Sequence, residues 1–241
     1  MNHSSQKVTI LTEYFYPEEA STAQLLTSLA TGLQGHFDVS VITGQPNYHP
    51  GDEDASVPDR ETHQGVSIER VFATRLDKDN LIYRVINWIT FCLLVFWRLV
   101  RSRGEDEVVL VLSNPPVLPF AAWAAKRIRG FSYAYLIYDM YPDFPVALNM
   151  VSEDSPVVNI WEQAIRMVYR DADRIVVLGD SMKRRLKNKM NSDHSFSPEK
   201  ITVIPNWEDG DFIAPISKSE NPFARKQGLV EPFTLLYSGN I

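Results

Sequence analysis

The sequence predicts an α/β protein built on a doubly wound parallel sheet. Three observations carry this. Short runs of Val, Ile and Leu recur along the chain, each followed by a segment with helical spacing. The runs are continuously apolar rather than alternating, which is the pattern of parallel strands buried on both faces. The 241 residues are 44% hydrophobic and 22% charged, with no repeat period and no low-complexity tract, so the chain can bury a core of its own.

The elements follow in order. Val8 to Thr12 is a buried strand. Ser21-Thr22-Ala23-Gln24 fits a capping box, with Ser21 as N-cap and Gln24 reaching back, and opens a helix to Leu33. Asp38 to Thr43 is the second strand. Val66 to Phe72 is the third, with Val66, Ile68 and Phe72 on alternating positions. Leu81 to Val100 is a long helix, and Glu107 to Ser113 a strand. Asn114-Pro115-Pro116 stops that strand and opens a helix, since proline suits a first helical turn. Tyr133 to Tyr138 is a strand, and Ser155-Pro156 starts a helix to Arg170. Arg174 to Leu178, Ser181 to Met190 and Ile201 to Ile204 complete the series as strand, helix and strand. Residues 1–208 form this first domain. Residues 209–232, with Pro215, Pro222 and Pro232, read as a connector. Phe233 to Tyr237 then reads as the first strand of a second domain, residues 233–241, whose remainder the sequence does not supply.

Charge and composition exclude several classes. Lys plus Arg is 24 and Asp plus Glu is 30, so the net charge is −6, which disfavours a nucleic-acid partner. The basic clusters Lys126-Arg127-Ile128-Arg129 and Lys183-Arg184-Arg185-Leu186-Lys187 read as solvated helix ends. Cys92 has no second cysteine to pair with and lies in an apolar run, as an inert buried thiol would. Val8 to Leu11 is too short for a signal-peptide core, so the expected location is cytoplasmic.

The long helix carries an ambiguity. Between Arg84 and Arg98 lie 13 uncharged residues, Val85 to Trp97. At ~1.5 Å per residue they cover roughly 20 Å, short of the ~30 Å of a bilayer core. Apolar residues surround the whole circumference, so the helix is either fully buried under the sheet or in contact with lipid. A core helix is the leading expectation. Monotopic contact, with Trp88 and Trp97 at the interface, is the second.

Ligands of open α/β sheets bind outside the carboxyl ends of the strands. Here those ends are rich in hydroxyl, amide, carboxylate and aromatic groups, a mixture that suits a polyhydroxylated ligand. No G-x-G-x-x-G follows the first strand and no G-x-x-x-x-G-K-[ST] occurs, which disfavours nicotinamide cofactors and P-loop chemistry. The five histidines show no ligand spacing, and no metal is expected. Asp77-Lys78-Asp79 and Asp209-Gly210-Asp211 match D-x-D, but neither follows a strand.

Five rim segments carry a resemblance. Tyr14-Phe15-Tyr16-Pro17-Glu18, Gln45-Pro46-Asn47-Tyr48-His49-Pro50-Gly51, Ser113-Asn114-Pro115-Pro116, Asp139-Met140-Tyr141-Pro142-Asp143 and Ile204-Pro205-Asn206-Trp207 fall in the order seen in family 4-like glycosyltransferases. The chain resembles in particular those of bacterial exopolysaccharide, colanic acid and O-antigen assembly, over residues 7 to 241. The resemblance implies the N-terminal, Rossmann-like half of a GT-B fold. It implies transfer of a sugar, with retention of configuration, from a nucleotide sugar to a saccharide or lipid-linked saccharide. It implies no cofactor beyond the nucleotide-sugar co-substrate, whose site belongs to a C-terminal domain. The isolated chain is therefore expected to be inactive, as a truncated product or one half of a split enzyme. The alternative is a non-catalytic acceptor-binding scaffold.

The implied location is cytoplasmic, peripheral at the inner membrane face. Asp139 is the candidate catalytic residue. Tyr14, Glu18, Asn47, Tyr48, Asn114, Tyr141, Asp143, Asn206 and Trp207 are the candidates for acceptor binding. Ser21, Thr22, Ser238, Gly239 and Asn240 are the candidates for the donor phosphates. Relatives often carry a glycine-rich first loop and a histidine after the fifth strand. This sequence has Ala20-Ser21-Thr22 and Asp139 at those places.

Overall fold

A computed structural model of the chain describes residues 6–46, 57–77, 79–102, 107–208, 210 and 213–237. It divides into two compact units, Met1–Asn206 and Trp207–Ile241. The first holds a sheet of eight strands: β1 (Lys7–Leu11), β2 (Asp38–Thr43), β3 (Arg60–His63), β4 (Val66–Arg70), β5 (Glu107–Leu112), β6 (Ser132–Ile137), β7 (Arg174–Val177) and β8 (Ile201–Val203). Their order across the sheet is β3-β4-β2-β1-β5-β6-β7-β8, and every pair is parallel except β3 with β4.

The chain leaves β1 in one direction and β5 in the other. Crossovers of one hand that run in opposite directions put their helices on opposite faces. Accordingly α1 (Ser21–Leu33) packs Leu26 and Ala30 with Ile10, Val39, Val41 and Ile68 on one face. On the other face lie α2 (Leu81–Arg101), α3 (Leu118–Arg129), α5 (Pro156–Asp171) and α6 (Asp180–Met190), around Val109, Val111, Tyr133 and Tyr135. The short α4 (Asp143–Ala147) caps the end of β6. The order reverses between β1 and β5, so a crevice opens there at the carboxyl edge.

Several expectations change. Ser21 is not an N-cap: Ala20 holds that position, no side chain caps the helix, and Gln24 Nε2 donates instead to the Glu19 carbonyl at 2.9 Å. β4 ends at Arg70, so Phe72, expected within the strand, lies past it and is 75% exposed. β3 was not foreseen, because Arg60-Glu61-Thr62-His63 carries no apolar pattern. It turns into β4 through Gln64 and Gly65, both at positive φ. Residues 233–237 are in neither strand nor helix. The second unit contains α7 (Pro222–Lys226), N-capped by Asn221 Oδ1, which accepts from Phe223 N and Ala224 N. The basic clusters serve ion pairs: Lys126 with Asp173 at 2.6 Å, Arg127 with Asp171, and Arg185 with Asp143.

Helix α2 does not match a fully buried core helix. Phe91, Cys92, Val95 and Leu99 are buried, spaced to form one stripe. Ile82, Val85, Ile86, Ile89, Leu93, Leu94 and Trp97 remain exposed. Asn80 caps the helix, its Oδ1 accepting from Ile82 N at 2.9 Å. Burial pushes the Cys92 thiol well up, and the nearby Glu13 charge adds to this. Native protein is therefore expected to resist iodoacetamide at pH 8 and to react once unfolded in urea. Stoichiometric labelling of folded protein would show the thiol to be accessible.

Candidate functional site

The site is assembled from the loops that follow β1, β2, β4, β5 and β6. After β1, the chain turns on Thr12, whose hydroxyl donates to the Tyr14 carbonyl at 3.0 Å. The Glu13 carbonyl accepts from Gly44 N at 3.2 Å and from Thr43 Oγ1 at 3.1 Å. A Cβ at Gly44 would sit 3.1 Å from that carbonyl, so the close approach of the two loops favours glycine there. Glu13, Tyr14, Gln45, Thr74, Arg75 and Asn87, with Ala73 and Phe91, line a small pocket at this edge. Asn87 holds its outer wall: its Oδ1 accepts from Thr74 Oγ1 at 2.8 Å and Leu76 N at 3.0 Å, and its Nδ2 donates to the Leu76 carbonyl at 2.9 Å.

The β3–β4 hairpin braces the same loop from outside. The Arg70 guanidinium is wholly buried and donates to the carbonyls of Tyr16 at 2.7 Å and Pro58 at 2.8 Å. It also pairs with Glu61 on β3. The Tyr16 and His63 rings stack with centroids 3.7 Å apart. An edge strand without an apolar pattern thus fixes where the loop after β1 stands.

On the other side of the switch point, Ser113 follows β5 and is fully buried. Its Oγ accepts from Tyr138 N at 3.0 Å and Asp139 N at 3.1 Å. One hydroxyl therefore holds the turn that presents Asp139. Ser113→Ala would leave both N–H groups without that acceptor. It is expected to cost about 1–3 kcal/mol of stability, read as a lower urea midpoint with unchanged slope. An unchanged midpoint would mean that the turn holds itself.

Asp139 is exposed at this rim, and partial burial of its carboxyl raises its pKa above the usual carboxylate range. The Tyr141 phenol is also raised, first by burial, then by the Asp139 charge, with Arg84 acting the other way and Glu13 adding to the rise. The Tyr141 phenol therefore senses charges from both sides of the crevice, Glu13 after β1 and Asp139 after β6. Asn114 stands at its base, joined to Pro115 by a cis bond. Ser21 and Thr22 form the first turn of α1, at the same edge.

Other candidates do different work. Asp143 is paired with Arg185 and, at 2.9 Å, with Lys189, which also contacts Glu162. Its carboxylate ties α4 to α6 and is not offered to an acceptor. Glu18 is only 9% exposed, which leaves an acceptor hydroxyl little access. Asn206 is exposed at the end of the first unit, and Trp207 opens the second. Asn47, Tyr48, Ser238, Gly239 and Asn240 lie outside the described residues. Among the described residues no three His, Cys, Asp or Glu side chains converge as a metal site. Asp77 Oδ1 instead accepts from Asp79 N at 2.9 Å in a turn. Sequence reasoning left Glu13, Arg75 and Arg84 out of the candidate set. Glu13 carried a signal, since it follows the first strand directly. Arg75 and Arg84 lie on a loop and a helix end whose approach to the crevice only the fold reveals.

The family model described as a glycosyl transferase 4-like domain matches residues 22–207. A curated protein of Pseudomonas aeruginosa, described as probable glycosyltransferase WbjE, is 26% identical over 149 residues, 62% of this chain and 36% of its own. Among solved structures, sucrose-phosphate synthase from Thermosynechococcus elongatus aligns with 89% of this chain and 51% of its own, at 10% identity and a TM-score of 0.61. Anabaena HepE in complex with UDP-glucose aligns with 94% and 51%, at 12% identity and a TM-score of 0.54. The chain thus spans about a third of the curated relative's length and about half of each solved chain.

Proposed function

The chain belongs to the glycosyl transferase 4-like family, and on that premise we propose that it is the acceptor-side half of a retaining glycosyltransferase. The donor is a nucleotide sugar. The acceptor is a saccharide or lipid-linked saccharide of cell-surface polysaccharide assembly. The observation that carries this reading is that Glu13 follows β1 and Asp139 and Tyr141 follow β6, on either side of the switch point, at the carboxyl edge of the sheet. Such a rim offers hydrogen-bond acceptors for sugar hydroxyls and an aromatic group to pack on their C–H faces.

In this reading the acceptor hydroxyl forms the new bond to the anomeric carbon and passes its proton to the nucleoside diphosphate, which leaves with the electrons of the old bond. Asp139 accepts a hydrogen bond from the acceptor and faces the positive charge that develops on the sugar. Ser113 is a positioning residue, acting through the Asp139 backbone. The N–H groups at Ser21 and Thr22 meet donor phosphate, as an uncapped helix N-terminus suits an anion. Cations to stabilise the leaving diphosphate are assigned to a donor-binding domain that Ser238, Gly239 and Asn240 introduce. The exposed face of α2 rests on the cytoplasmic side of the membrane, where a lipid-linked acceptor is presented.

The test is transfer from radiolabelled nucleotide sugars to a bacterial lipid extract, with and without a donor-binding half from a relative. Labelled glycolipid is expected only when both halves are present. Binding of the saccharide without transfer in any combination would favour the scaffold reading instead.

A further inference from the structure

In the small pocket at the ends of β1, β2 and β4, Gln45 Oε1 is buried and has no hydrogen-bond partner among the described residues. Its amide cannot turn over to relieve this. Gln45 Nε2 donates to Asp59 Oδ1 at 2.8 Å, and a carboxylate only accepts, so the nitrogen is held on that side and the oxygen on the other. Ala73 and the buried Phe91 form an apolar part of the same lining. We propose that this pocket receives the acetamido group of a 2-acetamido sugar, whose N–H donates to Gln45 Oε1 and whose methyl rests on Ala73 and Phe91. The proposal rests on the transferase reading and deepens it: that sugar is the one at the reacting end of the acceptor.

The lining selects the group. The pocket holds about 20 Å³, where one water needs ~10–15 Å³, so a ring substituent enters and a sugar ring does not. Thr74 and Asn87 are spent on their own contacts. The Thr74 hydroxyl donates to Asn87 Oδ1 at 2.8 Å, and the Asn87 amide spans the N–H and the carbonyl of Leu76. That leaves Gln45 Oε1 still to be met, and a buried acceptor without a donor is costly. A hydroxyl would meet Gln45 and leave the apolar wall uncovered. An ammonium is not called for, since Glu13 and Arg75 together leave the lining without net charge. An acetamido group is planar and trans, which sets its N–H and its methyl on the same edge. One substituent thus brings a donor and an apolar group to the same wall.

The walls are held before any ligand arrives. Gly44 N and Thr43 Oγ1 fasten the Glu13 carbonyl, and the Arg70 guanidinium fastens that of Tyr16. A site built in this way rejects an analogue that lacks the donor, because the buried oxygen then stays unpaired. Glu13 lines the pocket and also follows β1 at the switch point. A sugar anchored by its 2-substituent is therefore kept at the edge of the sheet where Asp139 stands. Gln45 becomes a specificity-determining residue for the acceptor.

The experiment is saturation-transfer NMR on the full chain with the methyl glycosides of N-acetylglucosamine and N-acetylgalactosamine. Those of glucose, galactose and glucosamine are the unacetylated arms. At least one acetylated sugar is expected to bind tenfold or more tightly than its unacetylated counterparts, with the strongest saturation at its acetyl methyl. Gln45→Leu removes the acceptor and should bring the acetylated sugar down to the level of the plain hexose. Ala73→Leu fills the apolar part of the pocket and should do the same while leaving the plain hexoses unchanged. Ala73→Val is a smaller filling should Ala73→Leu fail to fold. Equal binding of all five sugars, no binding of any, or an acetyl preference that survives both kinds of variant would overturn the assignment. The two readings fail separately. With a donor-binding half supplied, equal transfer to acetylated and plain acceptors leaves the transferase and removes the pocket's role. Acetyl-selective binding that Gln45→Leu abolishes, with no transfer from any nucleotide sugar, does the reverse.

Discussion

Asp139→Asn is expected to lower sugar transfer at least tenfold in the chain combined with a donor-binding half, about 1.4 kcal/mol in the barrier. The change removes a charge and keeps the shape. The Ser113 hydroxyl still receives the backbone N–H of residues 138 and 139, so the turn stays in place. Among the described residues Asp139 makes no ion pair, whereas Asp143 four residues later is bound by Arg185 and Lys189. Asp143→Asn should therefore lower stability while sparing the rate of the folded fraction, the opposite signature. Equal turnover and equal acceptor binding in Asp139→Asn would reduce Asp139 to a turn residue.

Leu93→Asp with Trp97→Asp is expected to release the protein from anionic liposomes, with at least a tenfold fall in partitioning. Leu93 and Trp97, on α2, are 54% and 51% exposed. That helix carries Arg84, Arg101 and Arg98, the last paired with Glu69 at 2.6 Å, and no acidic residue in its 21 positions. Each cation near an anionic surface adds about 1 kcal/mol to binding. The helix is long and apolar enough to span a bilayer by length and composition. Yet Phe91, Val95 and Leu99 are packed into the domain's core, and spanning would strip them out. Lying on the surface keeps that packing. Phe91→Asp is not a usable probe, because it buries a charge in the core and unfolds the protein. Failure of the unchanged protein to sediment with anionic liposomes at low salt would contradict the membrane-surface reading. Co-sedimentation unaltered by the double change would place the contact elsewhere.

Most of the sheet was legible because parallel strands buried on both faces leave continuous apolar runs. Val39-Ser40-Val41-Ile42 and Val108 to Leu112 stand out without any knowledge of their neighbours. β3 did not, since an exposed edge strand needs no apolar face. Its contribution passes through Arg70 and Tyr16, contacts that join residues 54 positions apart. The Ser21 capping box matched in pattern and failed in geometry, because the helix begins at Ser21 itself and Gln24 finds the Glu19 carbonyl. The long helix was apolar all round, so its sequence did not show which side the sheet would cover. The stripe through Phe91, Val95 and Leu99 emerged only once β5 and α3 were in place. At the site, the rim segments were visible as polar and aromatic strand ends, Asp139 and Tyr141 among them. Nothing local separated Asp139 from Asp143. The difference is Arg185, 42 positions on, reached through the packing of α6.

The central claim is that acceptor saccharide binds at the carboxyl edge, in the crevice between the ends of β1, β5 and β6. Photocrosslinking tests it most directly. A diazirine-bearing oligosaccharide acceptor is irradiated with the full chain, and the modified peptides are mapped. The account predicts adducts within 12–20, 113–117 and 138–142, suppressed by excess unlabelled acceptor. Adducts concentrated at the opposite edge, around Ser40, Arg98 and Glu107, would contradict it.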